Sequence, residues 1–373
     1  MEAASKTVLH RRSYIYGIDL LRFTAAVMVA LFHLTWFEAS TAQIDWFGWI
    51  GVQIFFVISG FVIAQSAQDA GPVSFAISRF LRLYPAAWIC GAISLAILLY
   101  NGSTAPTLLP LLSEFFRSVV LYPMGPFIAT AYWTLPIEIT FYALIGFVLY
   151  LRAFDDIETI ALGLCLCSGA YLCALALLYL GIIHTPWLDF GYGWKNITLL
   201  RHGIYFSAGI FCWLISEKRL GWRGAIGLLV VCLCAPMEIT CRTDELTKLM
   251  PRVMDVRSIG WVPVLIWFLA LAFILASAHW REQCQHLPRP VLRTVRLLGL
   301  TTYPFYLMHE RIGRAVRHIF LSKGYSSALA IAIGGLIVTA VVAILVARYG
   351  EPLLRKVMAA WISRLRRRQK RLA

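Results

Sequence analysis

Six ionisable side chains stand out inside stretches that are mostly apolar: Asp19, Arg22 and His33 in one, Glu138 in a second, His309 and Glu310 in a third. If those stretches lie in a bilayer, a charge near the midplane costs roughly 2.5 kcal/mol or more, so each group is a candidate for function. Arg22 and His33 are eleven positions apart. That is close to three helical turns, which places both on one helix face about 16 Å apart along the axis. A neutral imidazole is tolerable in a low-dielectric interior and can take a proton from a hydroxyl, which makes His33 the best general base of the set. Counting turns puts Glu138 and His309 near the same depth, where a carboxylate can orient an imidazole. The plainer reading of these groups is a structural hydrogen-bond network between helices. Arg79 and Arg82 open a further apolar stretch, three residues apart and so on one face. Guanidinium forks there can grip phosphates, or simply anchor a helix end.

The elements that must position these groups follow from composition. Hydrophobic residues make up 60% of the 373-residue chain and charged ones only 14%, against about 25% charged in an average soluble domain. Apolar runs near 18–37, 46–66, 80–100, 130–151, 158–181, 200–216, 223–240, 260–279, 297–319 and 327–349 each approach the length needed to cross ~30 Å of hydrocarbon. The expected fold is an all-α membrane protein, a polytopic bundle of about ten transmembrane helices. One transmembrane domain, 16–352, is expected between a cytoplasmic N-terminal segment, 1–15, and a basic cytoplasmic tail, 353–373.

The net charge of +15 sits at the edges of these runs. Arg364, Arg366, Arg367, Arg368, Lys370 and Arg371 follow the last run, as suits anchoring beside anionic lipid heads, with both termini in the cytoplasm. Nucleic acid is not an expected partner. One connection disobeys: 241–258 is expected outside, yet carries Arg242, Lys248, Arg252 and Arg257. Either the span count fails there or those side chains meet an anionic glycan or lipid phosphate. The nine cysteines lie mostly within apolar runs, with no CxxC pair, and no metal site is expected. Soluble hydrolase, kinase and redox chemistry find no GxSxG elbow, P-loop or dinucleotide glycine pattern to rest on.

Six segments in order resemble the acyltransferase-3 family of membrane proteins. Arg22 and His33 follow Gly17-Ile18-Asp19-Leu20-Leu21, and a GVxxFFVISGF-like block stands at 51–61. Arg79-Phe80-Leu81-Arg82-Leu83-Tyr84-Pro85 resembles RxxRxxP, and Tyr132-Trp133-Thr134-Leu135-Pro136-Ile137-Glu138 resembles WSLxxE. Tyr303-Pro304-Phe305-Tyr306-Leu307-Met308-His309 is similar to YxxYLxH, and Glu351-Pro352 to the closing ExP. Thr134, Gln53 and Pro136 depart from the usual residues.

The resemblance implies an enzyme of the bacterial cytoplasmic membrane that moves an acyl group, most often acetyl, from acyl-CoA to a surface polysaccharide or lipid-linked oligosaccharide. Arg79 and Arg82 are then expected to hold donor phosphates, with Arg22 along the pantetheine path. His33 is expected as the base with Glu138 orienting it, and Trp133, Tyr306 and His309 are expected to contact substrate. Membrane lipids are the remaining partner, and a transient acyl-histidine is an alternative route. The rival from another class is a transporter or exporter of a glycan or lipid-linked sugar, which also uses buried charges along a path. No inverted repeat supports it.

Overall fold

The structure is a computed structural model that describes residues 14–35, 46–100, 108–185, 197–249 and 260–372. Twelve helices follow in order: α1 (Tyr16–Thr35), α2 (Gly51–Ala67) after a 3₁₀ turn at Trp46–Ile50, α3 (Pro72–Tyr100), α4 (Leu108–Val120), α5 (Thr134–Tyr150) after a 3₁₀ turn at Thr130–Trp133, α6 (Ile157–Tyr179), α7 (Gly203–Ser216), α8 (Trp222–Leu249), α9 (Val262–His279), α10 (Arg289–Ser322), α11 (Ala328–Leu345) and α12 (Glu351–Leu372). A single turn at Arg281–Cys284 separates α9 from α10. The described residues contain no strand.

Each of the ten apolar runs lies on a helix. Among the described residues eight helical stretches are long and apolar enough to cross a membrane. The two others differ for opposite reasons. α7 has only 14 residues and is buried along nearly its whole length, so it is a core helix packed between α2, α6 and α8. α10 has 34 residues, but its first turns carry Arg289, Arg293 and Arg296 and its second half carries Glu310, Arg311, Arg314 and Arg317, so charge interrupts its apolar stretch from both ends. Outward faces elsewhere expose Leu229, Leu233, Leu269, Ile333, Ile337 and Val341. That surface suits hydrocarbon, and with the helix lengths it makes the chain an integral membrane protein.

Small residues set how closely the central helices approach. A Cβ added at Gly60 of α2 would lie 2.1 Å from the Phe206 carbonyl oxygen, and one at Gly209 of α7 would lie 2.0 Å from that of Val57. The Ser59-Gly60 pair of the aromatic block therefore brings two backbones into contact, as small residues do in lipid, where apolar burial alone does not favour association. α1 packs against α2, α9 and α10, and so stands at the centre.

Proline and arginine lock the end of the chain to α3. Pro85 lies inside α3 and has no N–H, so the helix leaves the Leu81 carbonyl unclaimed. Arg355 Nε of α12 donates to that oxygen at 3.2 Å. Just before α12 the chain forms a π turn at Val346–Gly350, the wider winding expected where Pro352 offers no N–H to the preceding turn.

The exceptional 241–258 connection is shorter than expected, because α8 continues to Leu249. Arg242 pairs with Glu245 at 2.5 Å and Lys248 with Asp244 at 2.8 Å, both at helical spacing. These pairs extend the helix beyond its apolar run. Arg252 and Arg257 lie outside the described residues.

Candidate active site

Two cavities enter the bundle from opposite helix ends, and Val52 and Tyr306 line both. The proximal cavity, about 110 Å³, is built by the first part of α1, one face of α2, the start of α3, and turns of α5 and α10. It contains Arg22, Arg79, Arg82, Ser59, Glu138 and Tyr142. The Ser59 hydroxyl donates to Glu138 at 2.8 Å, and the Tyr142 hydroxyl donates to the same carboxylate. Arg79 lies 5.5 Å from the Phe75 ring centre and 5.9 Å from that of Tyr142, while Arg82 lies 5.8 Å from the Tyr303 ring. Buried Glu351 stands 3.7 Å from Arg82 and also accepts a hydrogen bond from Arg355. The closing Glu-Pro motif thus pairs with Arg82 of the proximal cavity from a segment remote in sequence.

The distal cavity is wider, about 560 Å³. α1 contributes His33, α2 and its 3₁₀ turn contribute Trp49 and Gln53, and the turn before α5 contributes Thr130 and Trp133. Arg201 and His202 line it ahead of α7, with Glu238, Arg242 and Glu245 on α8. Arg201 Nε donates to Glu238 at 3.0 Å, and the Tyr205 hydroxyl donates to the other oxygen at 2.5 Å. Glu245 accepts from Arg242 and lies 3.8 Å from Arg201. Two arginines and two carboxylates therefore neutralise one another in the wall. A buried pair of this kind is tolerated because its lone pairs and protons are hydrogen-bonded.

His33 faces this distal cavity, with the ring of His309 5.3 Å away, centre to centre. The His309 Nδ1 lies 2.6 Å from the Tyr306 carbonyl oxygen. A carbonyl only accepts, so Nδ1 carries the proton and Nε2 is left with its lone pair; that nitrogen is buried without a partner. Glu310, next to His309 in the chain, and Arg314, which pairs with it, both act on His33 electrostatically. Glu310 accepts from the Thr130 backbone N–H at 3.0 Å and the Thr130 hydroxyl at 3.1 Å, and pairs with Arg314 at 2.5 Å.

Sequence spacing brings the right groups to the interior but not all to one place. Arg22, Arg79, Arg82 and Glu138 gather in the proximal cavity, His33 and Trp133 in the distal one, and Tyr306 sits between them. His309 reaches His33 by ring contact. The expected pairing of Glu138 with His33 is absent from the hydrogen bonds of the described residues: Glu138 is held by Ser59 and Tyr142 on the proximal side, and the carboxylate whose charge reaches the imidazole electrostatically is Glu310. Depth along a helix is readable from residue counts, but rotation about its axis decides which cavity a side chain enters. Arg201, His202 and Glu238 escaped the sequence reading. Glu238, near the end of the apolar run 223–240, was the available signal.

Comparisons with known proteins point to one family. The acyltransferase domain family matches residues 15–348. BcsY of Komagataeibacter xylinus, whose name proposes a membrane-bound transacylase, is 32% identical over 224 residues, 54% of this chain and 52% of that protein. The peptidoglycan O-acetyltransferase OatA of Listeria monocytogenes is 35% identical over 91 residues, 22% of this chain and 14% of OatA. Nodulation protein 10 of Rhizobium leguminosarum bv. viciae is 29% identical over 160 residues, 36% of this chain and 44% of that protein. The matched regions span about half or less of each relative's length. No solved structure matches.

Proposed function

This chain belongs to the acyltransferase-3 family, and on that premise we propose that it carries an acyl group across the bundle, from a cytoplasmic acyl-CoA in the proximal cavity to a sugar hydroxyl in the distal one. The observation that carries this reading is the pair of cavities sharing Val52 and Tyr306, one rich in arginine and the other holding His33. Arg79 and Arg82 meet the donor phosphates as bidentate forks. Arg22, deeper on α1, lies along the pantetheine, and Glu138 balances part of the cavity's positive charge. The thioester then stands at the constriction, within reach of the distal side.

His33 takes the proton from the acceptor hydroxyl as that oxygen attacks the thioester carbonyl carbon. The tetrahedral intermediate collapses with cleavage of the carbon–sulfur bond, the acyl ester remains on the sugar, and the imidazolium returns its proton to the CoA thiolate. Glu310 stabilises the imidazolium that forms between these steps, and His309 packs the ring in place. Water-poor surroundings protect the thioester from hydrolysis. Acetyl is the group proposed, the acceptor is an envelope polysaccharide or lipid-linked glycan, and the membrane is the bacterial cytoplasmic membrane with both termini inside.

The decisive measurement follows transfer of label from acetyl-CoA in membranes carrying His33→Ala. Loss of a positioned base removes typically 10²–10⁴-fold, so turnover is expected to fall about a thousandfold at equal protein level. Normal turnover would falsify the assignment of His33. Transport is separated by the glycan itself: a deletion strain that secretes normal glycan without its ester supports transfer, and one that secretes no glycan supports export.

A further inference from the structure

The transfer step leaves one imidazole of the distal cavity without a task. His202 lines the chamber that holds His33. Its ring is clamped between Phe56, 5.0 Å away centre to centre, and Trp133, 5.8 Å away. The residue is 4% exposed, and its Nδ1 is buried without a hydrogen-bond partner. Two further orphaned polar atoms, Trp49 Nε1 and Gln53 Oε1, belong to residues lining the same chamber. Leaving a buried polar atom unpaired costs free energy, and native proteins rarely do so without a reason. The neighbouring ions offer no such vacancy, since Arg201 is hydrogen-bonded to Glu238 and Arg242 to Glu245.

We infer that His202 is the second polar contact of the sugar acceptor, holding the hydroxyl next to the one presented to His33 and so deciding which hydroxyl is acylated. This rests on the reading of the distal cavity as the acceptor site. The chemistry of the wall favours an uncharged acceptor, because its two arginines and two glutamates already satisfy one another. An imidazole can donate to or accept from a neutral hydroxyl, and ring faces such as that of Trp133 supply flat apolar surface for the C–H side of a sugar. The aromatic clamp fixes the ring's plane, so the contact selects by position as well as by polarity.

The test uses the full chain in its own host. A deletion strain is complemented with the wild type, His202→Leu, His202→Asn or His202→Gln, protein level is matched by immunoblot, and ester position on the purified surface glycan is read by two-dimensional NMR. With His202→Leu, ester at the native hydroxyl is expected to fall about tenfold, the worth of one lost hydrogen bond, with part of it reappearing on a neighbouring hydroxyl. Asparagine, whose amide stands where Nδ1 stood, is expected to restore the native position. Native position and amount in His202→Leu overturn the inference while leaving acyl transfer intact. A uniform loss in the leucine and glutamine variants with no change of position also overturns it, since that is what a purely structural ring would give. Should the leucine protein fail to accumulate, His202→Gln carries the test: a mixed ester pattern supports the assignment and a native one sinks it. If the deletion strain itself loses no ester, the acceptor reading fails first, and this one with it.

Discussion

The two cavities share α1, α2 and Tyr306 of α10 and differ in almost everything else. The proximal one is narrow and sets Arg22, Arg79 and Arg82 against the single carboxylate of Glu138. The distal one has about five times the volume, 560 against 110 Å³, and sets two arginines against two glutamates that already bond to them. An excess of guanidinium in a confined space is complementary to a phosphate-bearing thread. A charge-balanced chamber walled by indoles and imidazoles is complementary to a neutral ring with hydroxyls at its rim. On the proposed reading two unlike substrates meet where the cavities share Val52 and Tyr306, and dividing the carboxylates between the cavities keeps the electrostatics of the two apart.

That division is most sharply tested by exchanging the two carboxylates' roles in kinetics. Glu310→Gln removes the charge acting on His33 and leaves the proximal arginines untouched, so kcat is expected to fall about a hundredfold with the KM for acetyl-CoA unchanged. Glu138→Gln acts on the other side. Its larger effect is expected on the KM for acetyl-CoA, with kcat falling less than in Glu310→Gln. If Glu138→Gln abolishes turnover while Glu310→Gln is mild, the carboxylates have been assigned to the wrong cavities.

A smaller effect is expected from the inner arginines. Hydrogen bonds between charged groups contribute about 1.5–3 kcal/mol each, and the site shares the load between forks. Arg79→Ala combined with Arg82→Ala should raise the KM for acetyl-CoA about 10- to 100-fold. Binding of a glycan acceptor, measured by its protection of the distal chamber from thiol reagents at an engineered Gln53→Cys, should not change. Equal weakening of donor and acceptor would mean that the cavities are not independent.

How much of this was readable from the residues alone differs between the two regions. The proximal arginines were legible because short-range spacing determines them, Arg79 and Arg82 sharing a face and Arg22 standing near the same end of α1, whereas Glu138 was expected beside His33. The distal set was not, because it depends on long-range packing. Arg201, in the turn ahead of α7, meets Glu238 of α8, and nothing in either local stretch names the other. Glu310 sits next to His309 in the chain, yet its task comes from Thr130, 180 residues away. Hydropathy found ten helices because each is long enough to average over its exceptions, but it could not see that α7 is too short to span or that ion pairs lengthen α8.

The smallest expected effect is the most specific, because it acts through a residue outside both cavities. Glu351 holds Arg82 at 3.7 Å while Arg355 ties the same carboxylate to α3 through the Leu81 oxygen exposed by Pro85. Arg82 is about a quarter exposed, at 25%, so solvent screens part of the pairing and its net worth is nearer ~1 kcal/mol than the value for a buried ion pair. Glu351→Gln should therefore raise the KM for acetyl-CoA only about threefold to tenfold and leave kcat and ester position unchanged. A double-mutant cycle decides whether the effect passes through the arginine: with Arg82→Ala already present, Glu351→Gln should add little further loss in KM. Full additivity would show that Glu351 supports the fold at the α3–α12 contact without positioning Arg82, and would remove the closing motif from the donor side of the comparison.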